Sequence, residues 1–324
     1  MTTAEILAAF PKLRALIIGD ICLDRWCRYD PALAEPSRET GLPRIAVTET
    51  ETTPGAAGTI ASNLVALGAG RVAVLGVVGD DGFGYELERA LTARRIMKDM
   101  IVHAAGTPTF TYTKLINANT NAEDLPRVDF VSVQPPGPEI ERRIIETFRD
   151  AAPRFDVILV SDQAETETGG VVTPAVRDEI ARFAAAHKEK IVWVDSRLRP
   201  EHFRNAIVKP NEAEAAAASQ RLCGRVDYAA LRAHIAAPLL VVTQGDRGVV
   251  LIDAKGETRV PAATSKPPVD ICGAGDSFSA GASLALRVTG SPAAAAAFGN
   301  RVASITIMKP GTGTASPAEI LAAE

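Results

Sequence analysis

The chain has 324 residues, 47% hydrophobic and 23% charged, with a formal charge of −4 at pH 7, the balance of an ordinary globular protein with a sizeable core and one main domain. No run of five or six like charges is present, which argues against nucleic acid or an anionic membrane surface as partner, and no apolar stretch approaches the ~18 residues that span a bilayer. The N-terminus carries Glu5, lacks a basic segment and soon meets Pro11, unlike a signal peptide or anchor; the four cysteines, Cys22, Cys27, Cys223 and Cys272, show no metal-ligand spacing, so a reducing cytoplasm is the expected compartment.

Short apolar runs at 15–18, 72–78, 157–160, 191–194 and 239–242 predict buried strands, and the helix-period stretches 56–67, 85–95, 139–148 and 174–186 alternate with them. That alternation predicts an α/β fold in three layers, a mostly parallel sheet covered by helices on both faces. Two regions break the rhythm. Residues 25–53 are rich in Pro and charge before the alternating Ile45 and Val47, and residues 107–134 contain two period-2 segments, 109–116 and 127–133. These are expected to form a small accessory β-sheet, a lid over the C-terminal edge of the main sheet, where open α/β folds bind ligands. After Val241 the turns Gly245-Asp246-Arg247-Gly248 and Lys255-Gly256 predict antiparallel strands at the sheet edge, followed by two small-residue helices near 275–288 and 292–308.

The segment Asp270-Ile271-Cys272-Gly273-Ala274-Gly275-Asp276-Ser277-Phe278 stands just before an Ala-rich helix. Its glycines let the backbone turn and present N–H groups at the positive helix end, which makes an anion site. Asp276 is placed as a proton acceptor beside that site. An Asp at a helix start is also a natural N-cap, and the helix terminus is expected to lower its pKa. A weak base is tolerable in phosphoryl transfer, whose loose transition state loses the hydroxyl proton late. The same terminus would favour the Cys272 thiolate.

With these residues in view, the chain resembles the ribokinase-like (PfkB) carbohydrate kinases, and among them the kinase domain of the bacterial heptose 7-phosphate kinase / ADP-heptose synthase proteins. The resemblance rests on Gly19-Asp20-Ile21-Cys22-Leu23-Asp24-Arg25-Trp26, on Pro54-Gly55-Ala56-Ala57-Gly58-Thr59-Ile60-Ala61-Ser62-Asn63-Leu64, on Asn211-Glu212-Ala213-Glu214, on Val242 through Gly248, and on Gly273 through Asp276, in family order from about residue 14 to 318. It implies a single ribokinase-like domain over 1–324 with lid segments at about 25–53 and 107–134, and ATP-dependent phosphorylation of a sugar or sugar phosphate, a heptose 7-phosphate 1-kinase-like reaction included. Another sugar or a nucleoside as acceptor, or a non-catalytic sugar or nucleotide sensor on the same fold, are the alternatives.

The resemblance also implies roles. Gly273, Ala274 and Gly275 supply oxyanion-hole amides and Asp276 the base. Asn211 and Glu214 organise phosphates and Mg2+, the latter through water; by themselves they also read as an amphipathic helix start. Thr243, Gly245 and Gly248 lie along ATP, or else form an ordinary hairpin turn, while Lys209 reaches a nucleotide phosphate and Asn300 stands near the adenine. Asp24, Gly55, Gly58 and Asn63 bind the acceptor. A phosphorylated sugar would also need cations, and Arg38, Arg44, Lys114 and Arg127 of the lid regions either supply them or stand as solvated surface charges. Asp270 and the Cys272 carbonyl contribute to a K+ site of the kind many relatives hold, and pairing through the lid makes a homodimer. Departures from the heptose-kinase pattern occur at Pro54 to Thr59, at Asp195-Ser196-Arg197 in place of Pro-Lys-Gly, and at Val131, where an acid is usual.

A dinucleotide-binding loop is discounted because the only Gly-x-Gly-x-x-Ala match, Gly68, Gly70 and Ala73, follows a helix and opens a strand, and no Gly-Lys pair exists for a Walker A loop. His103, His187, His202 and His234 are isolated, so adenylyl transfer through a His-x-Gly-His motif is not expected.

Overall fold

A computed structural model describes residues 1–263 and 267–323. In chain order it holds α1 (Thr3–Ala9), β1 (Arg14–Gly19), β2 (Ile21–Tyr29), β3 (Val47–Ala56), α2 (Ala57–Ala66), β4 (Arg71–Leu75), β5 (Val77–Gly79), α3 (Gly82–Ala93), β6 (Val102–Ala104), β7 (Thr111–Asn117) and β8 (Val128–Phe130). The second half continues with α4 (Pro138–Ala151), β9 (Val157–Asp162), α5 (Pro174–Ala186), β10 (Ile191–Ser196), β11 (Ile207–Val208), α6 (Glu212–Cys223), α7 (Tyr228–His234), β12 (Leu240–Thr243), β13 (Val249–Asp253), β14 (Gly256–Val260), α8 (Ala274–Thr289), α9 (Pro292–Thr306) and α10 (Pro317–Ala322).

Eight strands form the main sheet in the order β14-β13-β12-β11-β10-β9-β1-β4, parallel from β12 to β4, with β13 and β14 running antiparallel at one edge. Its strands are apolar throughout because both faces are buried. Along β1, Ala15 and Ile17 pack into a core with α2, α8 and α9, whereas Leu16 and Ile18 face a second core with α4 and α5. The same alternation recurs in β9 and β10, so the helical layers share the sheet without exposing it. Among the described residues, no helix is long and apolar enough to cross a membrane.

The accessory sheet has the order β3-β2-β7-β8, with β2 and β7 parallel and the outer pairs antiparallel. Its first strand leaves the main sheet directly after β1 and starts at Ile21 rather than 25, because Ile21, Cys22 and Leu23 are still core residues. The run 72–78 is two strands: β4 joins the main sheet, and β5 pairs with β6. β11 escapes the periodic reading because two residues carry no period.

Candidate active site

The parallel strands β1, β9, β10 and β12 point their C-terminal ends toward one edge, and the accessory sheet stands over it. On the facing side of that sheet, register sets Asp24 beside Tyr112 and Trp26 beside Lys114, and all four side chains line a cleft of about 180 Å3. Its floor is formed by Cys272, Gly273 and Asp276 at the start of α8, and its rim by Gln163, Glu165 and Arg197 from the loops after β9 and β10. A larger groove of about 620 Å3 runs along α3 past Glu88, Lys98 and His103 and contains none of these residues.

Gly273 precedes α8 in the left-handed region (φ 74°) and takes the N-cap position, so Asp276 is the third helical residue and caps nothing. The Ala274 N–H donates back to the Ile271 carbonyl (3.1 Å), which removes Ala274 from the expected anion-binding set. Among the described residues no group accepts the Gly275 or Asp276 N–H, and these amides open toward the cleft end of the helix.

Asp276 is part-buried and lines the cleft. Burial, then the nearby Asp195 charge, push its pKa up to about 8, against the pull of Lys209. The helix terminus was expected to lower it; desolvation and a second buried acid outweigh a partial charge. Cys272 is corrected in the same way, its thiol raised by burial and by the acids Asp24, Asp270 and Asp276.

Lys209 is 3% exposed and ion-paired with Asp195 at 2.9 Å. Burial alone would lower its pKa, but Asp195 more than offsets this. A Cβ on Gly275 would lie 3.4 Å from its Nζ, so Lys209 sits under the anion loop rather than out toward solvent. Ser279 Oγ donates to the same oxygen that Lys209 pairs with, Asp195 Oδ2 (3.2 Å).

Asn211 and Glu214 form a reciprocal capping box at the start of α6, Oδ1 accepting from the Glu214 N–H (2.9 Å) and Glu214 Oε2 from the Asn211 N–H (2.8 Å). Glu214 is nevertheless held above its usual pKa by burial and by Asp195, which places it next to the same charge cluster. Thr243 ends β12 against this helix start, its N–H bonded to the Pro210 carbonyl (3.1 Å), and Gly245 and Gly248 close the following turn.

On the acceptor side, burial lifts Asp24 to about 6 while the Cys22 thiol, Lys114 and Arg127 pull it down. A Cβ on Gly55 would come within 2.6 Å of the Asp24 carboxyl, so only glycine lets β3 pass this close. Gly58 packs on Pro54 within the same turn. Arg127 is fixed by Asp129 (2.7 Å) and stacks over Tyr112 at 4.6 Å.

Several expected residues are engaged by the protein itself or lie outside the cleft lining. Asn63 is fully buried, donating to the Thr59 carbonyl (3.0 Å) inside α2. Asn300 on α9 donates to the Pro261 carbonyl (2.7 Å). Arg38 and Arg44 lie on the loop between β2 and β3, away from the cleft lining. Both Asp270 oxygens accept backbone amides, from Cys272 (2.9 Å) and Gly311 (3.0 Å), and so pin the loop before α8. Conversely, Tyr112, Gln163 and Glu165 carry no site signal of their own in the sequence, and Asp195 and Arg197 stand there only as a departure from a pattern. Their signal was position, since Asp195 and Arg197 sit at the C-terminal end of a parallel strand.

An acid beside free helix-start amides, under a lid bearing a second acid and two cations, at the C-terminal edge of a three-layer α/β sheet: this combination defines an ATP-dependent small-molecule kinase. A model of the pfkB family carbohydrate kinases matches residues 15–319, and the chain belongs to that family. It is 32% identical to the "Bifunctional protein HldE" of Geobacter sulfurreducens over 325 residues, covering 98% of this chain and 64% of that protein; the chain thus spans about two thirds of the length of such relatives. In fold it is similar to phosphofructokinase-2 from Escherichia coli in complex with potassium (TM-score 0.70, 16% identity, 96% of this chain and 97% of that one). It is likewise similar to ribokinase from Thermotoga maritima (TM-score 0.69, 17% identity, 96% and 99%).

Proposed function

We propose that the chain transfers the γ-phosphoryl of ATP to a hydroxyl of a sugar that already carries a phosphate, in a heptose 7-phosphate 1-kinase-like reaction. One observation carries this reading. Asp276 faces a sugar-sized cleft whose lid offers both a carboxylate, Asp24, for hydroxyls and the cations Lys114 and Arg127 for an anionic substituent.

The acceptor oxygen attacks the γ-phosphorus, the bond from that phosphorus to the β–γ bridging oxygen breaks, ADP departs, and the hydroxyl proton passes to Asp276. The Gly275 and Asp276 amides meet the charge on the moving group. Lys209 and Asp195, locked together below, hold the loop and set the Asp276 pKa instead of reaching a phosphate. The lid excludes water that would otherwise receive the phosphoryl group.

Among the described residues no group of three or more His, Cys, Asp or Glu forms a metal cage, which fits Mg2+, an ion held largely by substrate phosphates and water. Glu214 would bind it through water, and when bound the ion would neutralise charge on the phosphate oxygens. Asn211 and Thr243 edge the nucleotide side, with the turn of Gly245 and Gly248. The Asp270 loop is the candidate K+ site, although both carboxylate oxygens already hold amides.

An unphosphorylated acceptor is favoured by a different observation: Lys114 already pairs with Glu123 (3.5 Å) and Arg127 with Asp129 (2.7 Å). ADP release across a panel of heptose, hexose and pentose phosphates, free sugars and nucleosides separates the two readings. Asp276→Asn is expected to lower kcat by roughly 10²–10⁴-fold while ATP still binds; near-normal turnover in that variant would remove the assignment of Asp276 as base.

A further inference from the structure

A phosphoryl group in flight needs positive charge beyond main-chain amides, and the obvious donor in the body of the protein does not supply it. Lys209 is sealed beneath the anion loop and neutralised by Asp195 at 2.9 Å. The lid cations face the acceptor from above, and Arg127 is fixed there by Asp129 and Tyr112. That leaves Arg197.

Arg197 follows β10, with its backbone N–H anchored to the Asp162 carbonyl (3.0 Å). Its guanidinium lines the cleft together with Gly273 and Asp276. It is near enough for its charge to act on Asp276, on Glu214 and on Tyr112, so it stands between the base, the start of α6 and the lid. Its ion-pair partner is Glu165, through one nitrogen and one oxygen, and both side chains are 46% exposed. An exposed pair of that kind is weakly held. A phosphate group offers two or more oxygens to the planar guanidinium fork and outcompetes a single carboxylate oxygen.

We propose that Arg197 is a further catalytic residue, which Glu165 holds aside before substrates bind and which turns onto the transferring γ-phosphoryl group when both are bound. This rests on the kinase reading above. It assigns the guanidinium to charge that grows between donor and acceptor, not to the phosphate the sugar brings with it. Glu165 is then a positioning residue: it keeps the cation at the rim, clear of the space the acceptor must enter.

The test compares Arg197→Ala, Arg197→Lys and Glu165→Gln with the wild-type protein in steady-state ADP release, with ATP and acceptor varied separately. Arg197→Ala is expected to lower kcat about 100-fold, the usual loss for one transition-state donor, with the KM for each substrate changed by less than about threefold. Free guanidinium ion should restore part of that loss, and Arg197→Lys should fall between, which a merely structural role would not produce. Glu165→Gln should raise kcat/KM for ATP, because it frees the cation; since this exposed pair is not part of the core, it also serves if Arg197→Ala fails to fold. A variant with wild-type kcat and a raised KM only for the phosphorylated acceptor would overturn the proposal and hand Arg197 to the acceptor's own phosphate. Loss of kcat without guanidinium rescue in a folded variant would overturn it too. If the wild-type protein releases no ADP with any acceptor, the kinase reading itself falls and this proposal with it, an outcome distinct from intact turnover that ignores Arg197.

Discussion

Asp276 shows how a few charges set a residue's chemistry. Its pKa near 8 comes first from burial and then from Asp195, with Lys209 opposing. A base must be deprotonated to accept a proton, so kcat/KM with ATP as the varied substrate is expected to climb with pH and level off above about 8; a flat profile between pH 6 and 9 would contradict this. The same shift bears on stability. A carboxyl ionised at ordinary pH in the unfolded chain but held neutral in the folded one disfavours folding increasingly from about pH 4 to pH 8. Asp276→Asn should therefore raise Tm by a few degrees at pH 8 and hardly at all at pH 4, as scanning calorimetry would show, while sharply lowering turnover. At Gly55 the constraint is steric. A Gly55→Ala methyl group would overlap the Asp24 carboxyl and the Cys22 sulfur, at 2.6 and 2.5 Å, and should raise the acceptor KM at least about tenfold with the ATP KM nearly unchanged; equal effects on both would detach Asp24 from the acceptor.

The element that makes the cleft a closed space is the accessory sheet, and α3 braces it from behind. Asp81 caps α3 through the Gly84 N–H (2.8 Å) and also accepts from the Thr109 N–H (2.8 Å), tying the helix start to the base of β7. Phe83 then lies under the Arg25 guanidinium at 4.7 Å and against Phe130 at 5.0 Å, so one ring joins α3 to both β2 and β8. Pairs of this kind contribute about 0.5–1.5 kcal/mol each, enough to bias a lid without locking it. Phe83→Ala is expected to loosen the sheet and admit water, raising ADP release in the absence of acceptor several-fold while lowering it in its presence. If neither rate moves, α3 has no part in holding the lid.

For the molecule as a whole, the open question is what covers the free edge of the lid. Along β8 and just beyond it, Val128, Phe130, Val131 and Val133 are between 39% and 58% exposed, an apolar strip at the edge strand of the accessory sheet. At the opposite edge, β3 carries Glu49 and Glu51, charges of the kind that discourage strand addition. A two-fold pairing through the β8 edge would bury the strip, in line with the proposed homodimer. Sedimentation equilibrium is expected to give twice the chain mass of 34.1 kDa, and Val131→Lys with Val133→Lys to give the monomer; a wild-type monomer at micromolar concentration would dispose of the pairing.

The sequence by itself determined the alternation of buried strands and amphipathic helices, the antiparallel edge after Val241, the two lid segments, and the Gly273 to Asp276 loop with its neighbouring carboxylate. These rest on periodicity and turn chemistry, which are local. What the tertiary structure alone decided was electrostatic and steric. It folded the Ala274 amide back onto Ile271, turned Lys209 inward to Asp195, tied the Asn63 and Asn300 amide nitrogens to the Thr59 and Pro261 carbonyls, and brought Arg197 and Glu165 to the rim of the cleft. Pairing and desolvation depend on groups far apart along the chain, and no short window of residues contains both partners.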